Sequence, residues 1–210
     1  MFFELDGTLI DPKTGITKEI QYALNAFDIK AEQDELLRFI GPPLRPAFME
    51  FYHMTAAQAE HAVTTYREYY SVTGLYECAL YPGIPAMLEE LRAMGKRLVV
   101  ATSKPTVFAR PILEHFDCAR YFEHICGCEL DGTRDTKSEV VAFALESAGV
   151  SPGEVVMVGD REHDVLGAGE EGVPCAGVTY GYGGRGEPLA RGAPHLVDSG
   201  ATTRDLLVPP

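Results

Sequence analysis

From Tyr81 to Val197 short apolar runs alternate with stretches whose apolar residues recur at helical spacing, and this alternation restricts the fold more than any other feature of the chain. Ile84, Met87, Leu88 and Leu91 mark a helix that closes near Gly95. The run Arg97-Leu98-Val99-Val100-Ala101 follows and passes into Thr102-Ser103-Lys104-Pro105. A helix rich in Phe108, Ile112, Leu113 and Phe116 leads to a strand around His124 to Cys126, then to the loop Glu129 to Asp135 and a helix holding Val140, Val141, Ala144, Leu145 and Ala148. Val155 to Val158 reads as a buried strand ending in Gly159-Asp160-Arg161-Glu162-His163-Asp164, and Cys175 to Val178 and His195 to Val197 as two more strands. Repeated β–α units require a parallel sheet with helices on both faces and right-handed crossovers. The expected fold class is α/β, a Rossmann-like parallel sheet.

The first strand, Phe2-Phe3, is separated from its partners by a segment that reads as helical. Ile20, Ala23, Leu24 and Phe27 predict a helix from Thr17 to Ile29 with Thr17 as its N-cap. Helical stretches follow from Asp34 to Phe39, stopped by Gly41-Pro42-Pro43-Leu44, from Pro46 to Tyr52, and from Ala56 to Tyr70. No clear strand is visible there. The expected organisation is a core of residues 1–12 and 83–210 with an inserted helical cap at 13–82.

Chemistry-bearing residues stand where the apolar runs end. Glu4 and Asp6 alternate after Phe2-Phe3, so they share one direction, and Gly7 lets the backbone approach a ligand closely. In an open parallel sheet, ligands bind at the carboxyl ends of the strands. Thr102 and Ser103 end the second run; Thr102 serves equally well as a helix cap. Lys137 opens a helix, where the macrodipole favours anions, so an anion sharing that space is expected. Asp160 and Asp164, four residues apart, line one side of a helix start. The segment Tyr180 to Gly186 is a Gly-rich loop near the site, not a dinucleotide fingerprint, because no helical pattern opens directly from it.

A formal charge of −13 argues against nucleic acid or an anionic membrane surface as partner. It leaves small anions open, since a local cation or lysine reverses the potential inside one pocket. Five scattered cysteines fit a reduced compartment, and Cys126-Gly127-Cys128 has no second pair at zinc spacing. Without a membrane-length apolar run or signal-peptide core, a cytoplasmic location is expected.

The acidic motif after the first strand, Thr102 after an apolar run, Lys137 at a helix start and Gly159-Asp160 through Asp164 occur in the order found in the haloacid dehalogenase (HAD) superfamily of phosphohydrolases. Tyr81-Pro82-Gly83, Thr102-Ser103-Lys104-Pro105, Leu130-Asp131-Gly132-Thr133-Arg134 and Gly41-Pro42-Pro43-Leu44 resemble its phosphoglycolate phosphatase-like branch, some members of which are called 5'-nucleotidases. The resemblance implies a phosphomonoesterase working through an acyl-phosphate, with Asp6 as general acid/base and Thr102, Ser103, Lys137 and Gly7 around the phosphoryl group. It implies Mg²⁺ held by the position-4 carboxylate, the Asp6 backbone carbonyl and Asp160, with Asp164 orienting that shell. Arg45 is the cap residue expected to contact an anionic substrate. Asp6 separates the chain from true haloacid dehalogenases, which lack an acid there.

One position departs from the family's pattern. The family places Asp where this chain has Glu4, and one extra methylene moves the attacking oxygen forward by roughly 1 Å, enough to cost on the order of 10²-fold in rate. The expected function is a Mg²⁺-dependent hydrolase of a small organic phosphate, phosphoglycolate-like and impaired by Glu4. The alternatives are a 5'-nucleotidase-type activity and an inactive homologue that binds a phosphorylated ligand.

Overall fold

The computed structural model describes residues 1–193 and 195–200. It divides into two compact units, one of Met1–Asp11 with the chain from Leu80 onward, the other Pro12–Ala79. The first unit is built on a six-stranded sheet. Its strands are β1 (Phe2–Phe3), β4 (Val99–Pro105), β5 (His124–Cys128), β6 (Met157–Gly159), β7 (Cys175–Val178) and β8 (His195–Val197). They run in the order β5-β4-β1-β6-β7-β8, and every neighbouring pair is parallel.

β1 is only two residues long yet central, because the sheet closes over it from both sides. Phe2 aligns with Val99 and Met157, and Phe3 with Val100 and Val158. Alternation then sends the two rings to opposite faces. Phe2 joins the buried cluster of Val140, Val141 and Ala144 from α6 (Lys137–Ala148) and Val165 and Ala168 from α7 (Glu162–Glu170). Phe3 meets Phe122 edge-on, ring centres 6.3 Å apart. Burying one such ring is worth roughly 1.5–3 kcal/mol, so this short strand is fixed by its side chains more than by its ladder.

Local signals set the helices. α4 (Ile84–Ala93) starts after Gly83 at φ +84 with Pro85 in its first turn. α5 (Thr106–His115) follows β4 directly. α6 opens with a capping box, Thr136 Oγ1 accepting from the Glu139 N–H, and ends at Gly149 in the left-handed region. A short α8 (Gly186–Ala190), absent from the sequence reading, interrupts the stretch before β8.

The second unit holds α1 (Lys13–Asn25), a 3₁₀ segment Gln33–Phe39, α2 (Leu44–Tyr52) and α3 (Ala56–Tyr70), packed around Ile20, Leu24, Phe39 and Phe48. α1 begins four residues before the expected cap. Thr17 is internal to it, its hydroxyl donating back to the Lys13 carbonyl at 2.7 Å, an alternative to capping open to any Thr in a helix. The sequence reading also missed the two-residue strands β2 (Ile10–Asp11) and β3 (Ala79–Leu80), too short for any periodicity to show. The units change over at 11/12 and 79/80, slightly before the Tyr81-Pro82-Gly83 turn where the sequence pattern changes. Among the described residues no helix is long and apolar enough to cross a membrane.

Candidate active site

At the carboxyl end of β1 the chain reverses at once: the Leu5 carbonyl accepts from the N–H groups of Leu9 and Ile10 at 2.9 and 3.0 Å, and Gly7 N–H donates to the Ile10 carbonyl at 2.9 Å. This tight turn leaves Glu4 and Asp6 at the strand end. Gly7 sits at φ +78, and a Cβ there would lie 2.4 Å from Asp160 Oδ2. Its N–H is already committed, so what the residue supplies is room for the Asp160 carboxylate.

Glu4 is buried and draws donors from three elements. Thr102 Oγ1 and Leu5 N–H donate to its Oε1, and Ser103 N–H, at 3.2 Å, and Lys137 Nζ donate to its Oε2. Ser103 enters this set through its main chain. Lys137 also donates to the Ala101 carbonyl at 2.8 Å and pairs with Asp164 Oδ1 at 2.8 Å. The anion expected beside that helix start is therefore present, supplied by the protein itself. Burial pushes the Glu4 carboxyl above the usual carboxylate range, with Lys137 pulling it partly back and Asp164 adding to the rise. For Lys137 burial acts downward, but Asp164 and Glu4 outweigh it and hold the ammonium ionised.

Asp160, buried at the end of β6, accepts from Tyr182 N–H at 2.7 Å and Gly183 N–H at 3.4 Å, and from Thr8 Oγ1 at 3.4 Å. The Gly-rich loop thus touches the site through its backbone. Burial, then the charge of Asp164, pushes the Asp160 carboxyl up to about 8. The Asp164 Oδ2 atom accepts from Arg161 N–H at 3.0 Å, tying the start of α7 to the same cluster. Asp6 pairs through Oδ2 with Lys104 Nζ at 2.7 Å, while its Oδ1 is buried without a hydrogen-bond partner.

Glu4, Asp6, Gly7, Thr102, Ser103, Lys137, Asp160 and Asp164 all belong to the sheet unit. Arg45 belongs to the helical unit, on α2, exposed, with its guanidinium 3.8 Å from Glu60. The sequence reading missed Lys104 and the N–H groups of Leu5, Tyr182 and Gly183. Lys104 had a signal, its place two residues after Thr102 on the same strand face. Main-chain donors carry none. Among the described residues no three His, Cys, Asp or Glu side chains gather as a metal cluster, and all five cysteines are free thiols.

Donors from β4 and α6 thus converge at the carboxyl ends of the central strands, where open α/β sheets bind their ligands. Comparison with known proteins gives the family. The model for haloacid dehalogenase-like hydrolases matches residues 1–178, and the chain belongs to that family as an enzyme of the phosphatase type. It is 47% identical over 208 residues to a 5'-nucleotidase of Pseudomonas aeruginosa, covering 99% of this chain and 94% of the relative. A protein named tyrosine-protein kinase PtkA from Mycobacterium tuberculosis is 38% identical over 98% of this chain and 70% of its own length. Phosphoglycolate phosphatase 1 of P. aeruginosa is 32% identical over 99% and 78%. The crystal structure of a predicted phosphatase from Clostridium acetobutylicum superposes with a TM-score of 0.95 at 44% identity, covering 98% of this chain and 96% of that one.

Proposed function

We propose that this chain is a Mg²⁺-dependent phosphomonoester hydrolase for a small, phosphoglycolate-like organic phosphate, impaired by Glu4 at the position of the attacking carboxylate. One observation carries the reading: Thr102 Oγ1, Ser103 N–H and Lys137 Nζ all point at the position-4 carboxylate, and these donors would neutralise phosphoryl oxygens at the moment of transfer. In the proposed reaction a carboxylate oxygen at position 4 attacks phosphorus, the bond from phosphorus to the substrate oxygen breaks, and Asp6 protonates that oxygen so that an alcohol departs. Water then attacks the phosphorus of the acyl-phosphate and gives its proton to Asp6. Inorganic phosphate leaves and the carboxylate is restored.

The excess of carboxylate charge at these strand ends is what a hard divalent cation would offset. Lys137 pairs with Glu4 and Asp164, and Lys104 with Asp6, while Asp160 feels the charges of Asp164 and Glu4, so when fully ionised the four carboxylates exceed the two ammonium groups by two charges. Mg²⁺ would be held by the carboxylates of Asp160 and Glu4 and by the main-chain carbonyl of Asp6, where it would offset the charge on the phosphoryl group. Asp164, which holds Lys137 and the start of α7, would orient that surrounding structure. Arg45 is proposed to grip the anionic end of the substrate.

Glu4 engages these donors in either reading, so turnover rather than geometry separates the hydrolase from a homologue that only binds a phosphorylated ligand. The likeness to a 5'-nucleotidase makes 5'-mononucleotides the second substrate class to try. Phosphate release is measured from a panel of small phosphomonoesters and 5'-mononucleotides with Mg²⁺, for this chain and its Glu4→Asp variant. The variant is expected to exceed the parent by about 10²-fold or more. If neither releases phosphate from any ester, the reading is wrong.

A further inference from the structure

We infer that Lys104 is a positioning residue for Asp6, one that engages Oδ2 and so leaves Oδ1 as the oxygen that exchanges the proton. This rests on the phosphatase reading above and adds to it a residue with an assigned task. The Lys104 side chain is 5% exposed, and its ammonium lies 2.7 Å from Asp6 Oδ2. Asp6 Oδ1 is buried and has no hydrogen-bond partner, which is costly unless something else is to meet it. One oxygen is thus fixed and the other is open.

The backbone is shaped to deliver this lysine. Thr102 and Lys104 lie two apart on β4 and share its direction towards the end of β1. The β4–β5 register shifts between Thr102 and Pro105, an irregularity of the kind that re-aims a side chain beside an active site. On β5, Gly127 pairs with Thr102, and a Cβ there would lie 2.3 Å from the Lys104 carbonyl and 2.8 Å from Thr106 N, so the main chain of 104–106 closes directly onto β5. Lys104 N–H also donates to Thr102 Oγ1 at 3.1 Å, the hydroxyl that donates to Glu4. One residue therefore ties together the two groups on which the reaction depends.

An ammonium donates to Oδ2 whether Asp6 is neutral or ionised. The proton is consequently carried on Oδ1, both when it goes to the departing oxygen and when it is taken from water. Without Lys104 the carboxyl can turn, and the acid is misplaced for part of the time.

The test compares Lys104→Met and Lys104→Arg in the full Glu4→Asp chain with Mg²⁺, on an alkyl phosphate and on p-nitrophenyl phosphate, whose phenolate leaves without a proton. For Lys104→Met, kcat/KM on the alkyl ester is expected to fall roughly 100-fold, the scale set by general acid catalysis and by 1 Å misplacement. On the aryl ester it should stay within about 3-fold, while kcat falls for both because acyl-phosphate hydrolysis is shared. Lys104→Arg should recover most of the loss. In the parent chain, Lys104→Met should lower Tm more when Asp6 is present than in an Asp6→Asn background, which reads the pair without turnover. Equal kcat/KM losses on both esters would mean a structural role only, and a raised KM with unchanged kcat would make Lys104 a substrate ligand; either overturns the inference. Should Glu4→Asp release no phosphate from any ester, the phosphatase reading itself falls, and this inference with it.

Discussion

The side chain at position 4 sets what the surrounding donors engage. With Glu4 in place, its carboxylate takes Thr102, Ser103 N–H and Lys137 for itself, and a phosphoryl group arriving there meets a charge of its own sign. Glu4→Ala removes that internal anion while Asp164 still accompanies Lys137 at 2.8 Å, so the lysine is not left unpaired in the interior. Inorganic phosphate should bind the Glu4→Ala variant at least about tenfold more tightly than the parent by titration calorimetry, a difference near 1.4 kcal/mol. Equal affinities would show that Glu4 does not compete for the site. Residues of this kind were legible in the sequence because each stands at the end of an apolar run, or for Lys137 at a helix start, with a group that a plain turn would not need: Glu4, Asp6, Thr102, Lys137, Asp160 and Asp164. What the sequence could not show was which atoms engage. Ser103 contributes its N–H, Gly7 contributes room, and Tyr182 and Gly183 reach Asp160 through main-chain groups that any residue carries.

At the level of elements, the alternation from Tyr81 onward foretold the strands of the sheet unit and its helices other than α8, because buried parallel strands are near-continuous apolar runs and their crossover helices are amphipathic. The pattern could not show the strand order, which is made by partners far apart in sequence: β1 lies between β4 and β6, about a hundred residues or more away along the chain. Nor could it show the irregular end of β4, since a shifted register leaves no periodic trace. Gly127 is where that irregularity can be tested. Gly127→Ala places a methyl against main-chain atoms of Lys104 and Thr106, contacts that cannot be relieved by a side-chain rotation. It should destabilise the chain by about 1–3 kcal/mol in urea unfolding, the range for forcing an extra group into a packed interior. In the Glu4→Asp background it should also lower activity, by shifting Thr102 and Lys104 together. Unchanged stability would mean that the two strands part there without cost.

For the whole molecule the balance of buried charge links stability to pH and, on the proposed reading, to metal. The Asp160 carboxyl is pushed from an ordinary 3.8 up to about 8, by burial first and by Asp164 second, and Glu4 is shifted in the same direction. Between those two pH values the folded chain keeps a proton that the unfolded chain has released. Its stability therefore falls as pH rises through that window. Exposed carboxylates such as Glu123 and Glu139, held below their usual range by Arg97 and by the Thr136 N–H respectively, act oppositely only at more acidic pH, and the Met1 amino group, lowered by burial to about 6, opposes the trend between pH 6 and 8 over a smaller shift than that of Asp160. From pH 5 to 8.5, without divalent metal, Tm should thus decline. On the proposed reading Mg²⁺ would bind the ionised form, so at pH 5 it would have to displace a proton and at pH 8.5 it would not. Its stabilisation should accordingly be larger at pH 8.5, recovering part of the decline. Asp160→Asn keeps the shape and removes the charge, so both the decline and the Mg²⁺ response should shrink. Thermal unfolding at the two pH values, with and without Mg²⁺, decides the matter: an equal Mg²⁺ shift at both, or one that survives Asp160→Asn undiminished, would mean that the metal binds elsewhere and that the excess charge of this cluster is balanced by protons alone.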